Sequence, residues 1–136
     1  MFSEIYIYNA VYDEVVINGK GEAGSEETAF AVRDGWMLKK AVEDELACSA
    51  LMTVLGRGEA EVTIVCRELK LDCALIDERI AIVMAEILNV NTMGVLGIID
   101  LAAQLGFAIN KKEAIDRLKD MGFRISEKLY KKMFPE

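Results

Sequence analysis

Apolar and polar or tyrosine residues alternate from Glu4 to Tyr8, a period of two in β-forming residues that predicts a short strand. Beyond it the period lengthens. Asn9 is placed to cap a helix whose inner stripe is Val11, Val15 and Val16, ending at Gly19 and leaving Asp13 and Glu14 outside. The glycine-rich loop GKGEAGS leads to a helix capped by Ser25, with Glu26 and Glu27 in the first turn where the helix dipole favours them, and closed by Gly35. Residues 36–42 suit a second strand, and Asp44 caps a helix running to about Leu55, where Gly56-Arg57-Gly58 interrupts the pattern.

In GEAEVTIVCREL, Val62, Val65, Cys66 and Leu69 recur at helical spacing and predict a core-facing stripe. The run LDCALI is short, apolar and followed by acids, as a buried parallel strand would be. Ile80, Val83, Met84, Ile87 and Leu88 then mark an amphipathic helix ending near Asn89. Residues 95–105 are apolar almost all round, which predicts a helix deep in the fold. Asn110 and Ser126 are placed to cap two closing helices, joined where Gly122 can take positive φ. Strands alternating with helices predict an α/β fold: three layers, with a mostly parallel sheet flanked by helices. Such sheets bind ligands beyond the carboxyl ends of their strands.

The 136 residues carry no internal repeat or proline-rich linker, and the reading is one domain over residues 1–136. Neither a signal core nor an unbroken membrane span is present, and Cys48, Cys66 and Cys73 form no C-x-x-C, so a cytoplasmic protein with reduced thiols is expected. Histidine is absent, which excludes Ser-His-Asp and Cys-His catalysis and histidine-ligated zinc. Net charge is −7 and uneven: residues 1–110 hold 18 acids against 8 bases, and residues 111–136 hold 5 against 8. An acidic body repels phosphate chains at long range but does not prevent a metal from bridging to one.

Chemistry must then come from carboxylates, lysines, hydroxyls or a metal. Asp77 directly follows the strand LDCALI and precedes a helix, so its carboxylate is expected in the crevice; a helix N-cap explains the same position. Glu78 is its backup in the first helical turn. Glu59 opens the preceding helix nearer the core stripe than Glu61 does, and residues two apart diverge on a helix, so Glu59 is preferred. Favourable placement near the helix dipole also accounts for it. Glu14, with Asp13 beside it, is the third acid, and a solvated helix face explains both equally. Three converging carboxylates repel one another unless a cation such as Mg²⁺ or Mn²⁺ holds them. Gly56-Arg57-Gly58 could offer N–H groups to an anion, though no Walker pattern follows. The lysines between residues 111 and 132 are interleaved with acids and read as a solvated face.

In order, VYDEVV, GKGEAGSEE, LGRGEAEVTIVCREL, LIDERIA, NTMGVLG and DMGFRISEKLY resemble a branch of the PIN-domain family, of predicted nucleic-acid-binding proteins related to the VapC toxins. The resemblance covers nearly the whole chain. It implies a parallel sheet with helices on both faces and Mg²⁺- or Mn²⁺-dependent hydrolysis of RNA, with Glu14, Glu59 and Asp77 as catalytic metal ligands. It also implies a toxin–antitoxin setting with an antitoxin as possible partner. Family members open with a strand ending in an aspartate, and this chain aligns from after it. From that difference follow three expectations: weak or absent metal binding and cleavage; a slot in the sheet covered by a homodimer or another partner; and, as the rival reading, a non-catalytic nucleic-acid-binding or protein-interaction module. An opening strand encoded upstream of Met1 would also account for it. The nuclease reading requires Glu14, Glu59 and Asp77 to meet in one pocket.

Overall fold

The alternating residues after Glu4 do form a strand, β1 (Ile5–Tyr8), with Ile7 and Tyr8 buried. The computed structural model of the chain describes residues 2–135. β1 runs without a loop into α1 (Asn9–Tyr12), which widens into a π-helical turn over Asp13–Ile17. Tyr8, not Asn9, holds the N-cap position, and no side chain caps the helix. α2 (Ser25–Asp34) starts from Gly24 and ends at Gly35, both in the left-handed region. Ser25 is therefore the first helical residue and no cap; its buried hydroxyl donates to the Val16 carbonyl at 3.2 Å.

β2 (Met37–Lys40) pairs in parallel with β1, Ile5 opposite Met37 and Tyr8 opposite Lys40. α3 (Glu45–Leu51) is capped by Asp44, which accepts from the Ala47 N–H at 3.0 Å. It leads to α4 (Arg57–Glu68). β3 (Ala74–Leu75) follows, then α5 (Arg79–Ile87) and β4 (Thr92–Met93), the last pairing in parallel with β3. The α/β class with parallel strands is as expected, but the strands form two separate two-stranded sheets, β1-β2 and β3-β4, in place of a continuous one. α4 packs against a strand of each pair, β1 and β3, and against α1, α3 and α5. Being covered on so many sides buries Ala60, Glu61, Thr63, Ile64, Val65 and Cys66. The expected stripe was therefore too narrow, and its outer member Leu69 is exposed while Val62 is half-buried.

The core joins Cys48, Leu51 and Leu55 to Ala60, Ile64 and Cys66 of α4, Ala74 and Ile76 around β3, and Ala81, Ala85 and Val90. α5 thus buries its alanines; Met84 and Leu88 pack at the margin, whereas Ile80, Val83 and Ile87 are exposed. These elements form one compact unit, Phe2–Met93, and a second unit begins at Gly94. In the second unit, α6 (Val95–Gln104) buries only Ile99, so its uniformly apolar surface does not put it deep in the fold. α7 (Lys111–Asp120) and α8 (Glu127–Met133) carry the expected caps: Asn110 accepts from Glu113 N–H at 3.0 Å and Ser126 from Leu129 N–H at 3.1 Å. Gly122 between them has φ of 97°. Among the described residues no helix is long and apolar enough to cross a membrane.

Candidate active site

A strand that turns directly into a helix, followed by a π-turn, brings the start of α1 against the start of α4. A π-turn adds a residue to the helical ring and swings the following side chains off the usual face. The result is a cavity of about 650 Å³, lined by Asn9, Asp13, Glu14 and Asn18 on one wall. Residues 56–59, Glu61 and, across from them, Glu45 form the rest of its polar lining. Glu14 Oε2 lies 3.5 Å from where a Cβ on Gly58 would stand, and Glu59 Oε2 lies 2.7 Å from the corresponding point on Gly56. Glycine at both positions leaves room for these carboxylates.

Glu59 occupies the first turn of α4 and Glu14 the π-turn, so two of the three expected acids share this cavity. Asp77 does not line it. It lies one residue beyond Ile76 on the exposed segment after β3, in the other strand pair. Nor does it occupy the N-cap of α5, a position held by Glu78, whose side chain caps nothing. The expected meeting of all three in one pocket is therefore not what the structure has. Among the described residues no group of three or more acid or cysteine side chains is set to hold an ion.

Two residues that periodicity passed over complete the cavity. Glu61 is 3% exposed, accepts the Ala10 N–H at 3.1 Å and takes the Arg57 Nε–H at 2.8 Å. Glu59 and Glu61 reach the same cavity despite their spacing of two, because α1 crosses the start of α4 and covers more than one of its faces. Arg57 and Glu61 are four residues apart on α4, a spacing that pairs charges and was legible as such. The Glu61 carboxylate holds the Arg57 guanidinium above its ordinary range, and with Nε engaged the two terminal amino groups keep their donors for another acceptor. Arg57 is the one cation in a lining of five carboxylates.

Oxygen donors alone, carboxylates and the side-chain amides of Asn9 and Asn18, suit a hard cation of the Mg²⁺ or Mn²⁺ kind. Mg²⁺ is commonly held by one or two carboxylates, with waters and substrate phosphates completing its shell, and Glu14 and Glu59 are side chains of that kind in this lining.

A family model described as PIN domain matches residues 1–136. No curated protein and no solved structure matches the chain.

Proposed function

We propose that this chain, which belongs to the PIN-domain family by a match along its full length, is a Mg²⁺- or Mn²⁺-dependent endoribonuclease working at the cavity between α1 and α4. The observation that carries the reading is the shared cavity of Glu14 and Glu59 with Arg57 between α4's opening and Glu61. Glu14 and Glu59 would hold the metal; Asp77 enters the ligand set through the family resemblance, not through this cavity. Bound there, the cation supplies an activated water and charge neutralisation at the phosphoryl oxygens. The chain's own contribution is electrostatic. Carboxylates alone repel a phosphodiester, and Arg57, fixed by Glu61, offers paired donors to a non-bridging oxygen.

Two measurements test this. Adding Mn²⁺ at about a hundred times its Kd stabilises a binding protein by about 2.7 kcal/mol, so thermal unfolding should shift upward in the parent and much less in Glu59→Gln. A single-stranded RNA with a fluorophore and quencher should be cut only with the metal present, and Glu59→Gln should slow cutting by about 10²-fold or more. Cleavage that proceeds equally in the variant sinks the proposal.

The exclusion of Asp77 from the cavity favours a second reading, a non-catalytic nucleic-acid-binding or protein-interaction module on the same scaffold. A metal-induced thermal shift without any RNA cleavage, in Mg²⁺ or in Mn²⁺, selects it.

A further inference from the structure

β2 leads to the acid cavity: Ala41 and Val42, the two residues after its end at Lys40, line that cavity. Trp36 stands just before the strand, about 13 Å back from Lys40 at about 3.3 Å per residue. It is the chain's only tryptophan and is 59% exposed. Among the described residues its ring meets no other ring and no cation. Its neighbours differ, because the Arg33 guanidinium lies 5.3 Å from the Phe30 ring centroid and Lys39 is taken up by Tyr12. Alternation puts Leu38 and Lys40 on one face of β2, and both are exposed. Neither they nor Trp36 line the cavity that β1 shares with residues 69–75. Their exposure belongs instead to the outer edge of the β1-β2 sheet.

Charge along this track runs against that of the molecule. Residues 33–40 hold Arg33, Lys39 and Lys40 against Asp34 alone, in a chain of net charge −7. Such a chain draws no phosphate polymer from a distance, so short-range contacts that charge does not govern must hold one. An aromatic face offers such a contact, because every nucleobase has a π-face to lay on it. We infer that Trp36 is a stacking platform for an unpaired base of single-stranded RNA outside the acid cavity, with Lys40 meeting a phosphate on the cavity side. Bases inside a duplex are stacked on one another, so the platform selects single strands, loops and ends. Trp36 is thereby a positioning residue: the base it holds sets which phosphodiester lies beside Glu14 and Glu59. That path into the cavity rests on the nuclease reading, whereas the stacking itself needs no catalysis.

A single tryptophan makes intrinsic fluorescence a direct report on the site. The probes are octa-adenylate RNA and an abasic ribose-phosphate octamer of the same charge, titrated into the full chain in Ca²⁺, a cation that oxygen ligands also hold. Octa-adenylate should quench Trp36 emission saturably, and the abasic chain should not. Trp36→Leu should weaken binding of labelled octa-adenylate, read by anisotropy, by about tenfold, and Trp36→Phe, which keeps a ring, should recover most of that loss. Binding that leaves the emission unchanged, equal quenching by the abasic chain, or no quenching up to the solubility limit overturns the inference. Failure of the nuclease reading looks different. Quenching without any cleavage in Mn²⁺ supports the platform and removes the catalysis, whereas cleavage with Trp36 emission unmoved removes the platform and keeps the nuclease.

Discussion

Gly56 precedes α4 with φ of −65° and ψ of 163°, a conformation open to any residue, so its smallness is not required by the backbone. What it spares is the Glu59 carboxylate, 2.7 Å from the point a Cβ would occupy. Gly56→Ala should therefore fold with stability within about 1 kcal/mol of the parent, yet displace the end of Glu59 and reduce the Mn²⁺-induced thermal shift. An unchanged shift would show that Glu59 takes no part in holding the ion. Glu61 plays the opposite role. Its buried carboxylate satisfies the Ala10 N–H and holds Arg57, whose side chain is 56% exposed. The ion pair is half in solvent and contributes little; the main loss in Glu61→Ala is the orphaned N–H, about 1–3 kcal/mol. Urea denaturation should show that loss, and Glu61→Gln, which keeps an acceptor oxygen, should recover most of it.

Between elements, the contact of α7 with α8 has a pH-dependent component. Tyr130 donates its hydroxyl to Asp116 Oδ1 at 2.5 Å, and Lys112 Nζ meets Oδ2 at 2.9 Å. The Tyr130 hydroxyl first, and Lys112 second, hold the Asp116 carboxyl below its ordinary range. A carboxylate depressed by folding stabilises the fold above the unfolded value, about 3.9, and that contribution disappears as pH falls through the lower folded value. The urea midpoint of the parent should thus drop more steeply below about pH 4 than that of Asp116→Asn; parallel profiles would remove the role assigned here. The caps Asp44, Asn110 and Ser126 were all legible in the sequence, because a cap is a local bond between residues three apart. Burial was harder to read. α5 hides Ala81 and Ala85 and leaves Ile80, Val83 and Ile87 exposed, since small residues allow close approach to the core and the larger neighbours define the periodic signal. β4 escaped notice because two residues, Thr92 and Met93, are too few to show a period. The acids Glu14 and Glu59 were identifiable from their helix positions, whereas Asp77 was read from its place after the strand LDCALI and from the family resemblance, neither of which fixes the cavity its side chain lines.

For the whole molecule, charge sets how an RNA strand would arrive. With a net charge of −7 the chain offers no attractive field at distance. Short-range cations are few on this side: Arg57 in the cavity, and exposed Lys39 and Lys40 on β2, whose next residue Ala41 joins the lining. Lys39 is already engaged over the Tyr12 ring, 4.2 Å from its centroid. Each phosphate neutralised on a single strand contributes about −0.7 to the slope of log affinity against log salt. Three cations give at most about −2 by the same rule, and long-range repulsion, which salt screens, makes the slope shallower still. Fluorescence anisotropy of a labelled RNA at fixed Mn²⁺ across a KCl series should give such a slope, with Arg57→Ala weakening binding and flattening it further. A slope much steeper than −2 would mean that an extended basic surface takes the RNA instead. The lysines of α7 and α8 would then be the first residues to substitute, because residues 111–136 hold 8 bases against 5 acids.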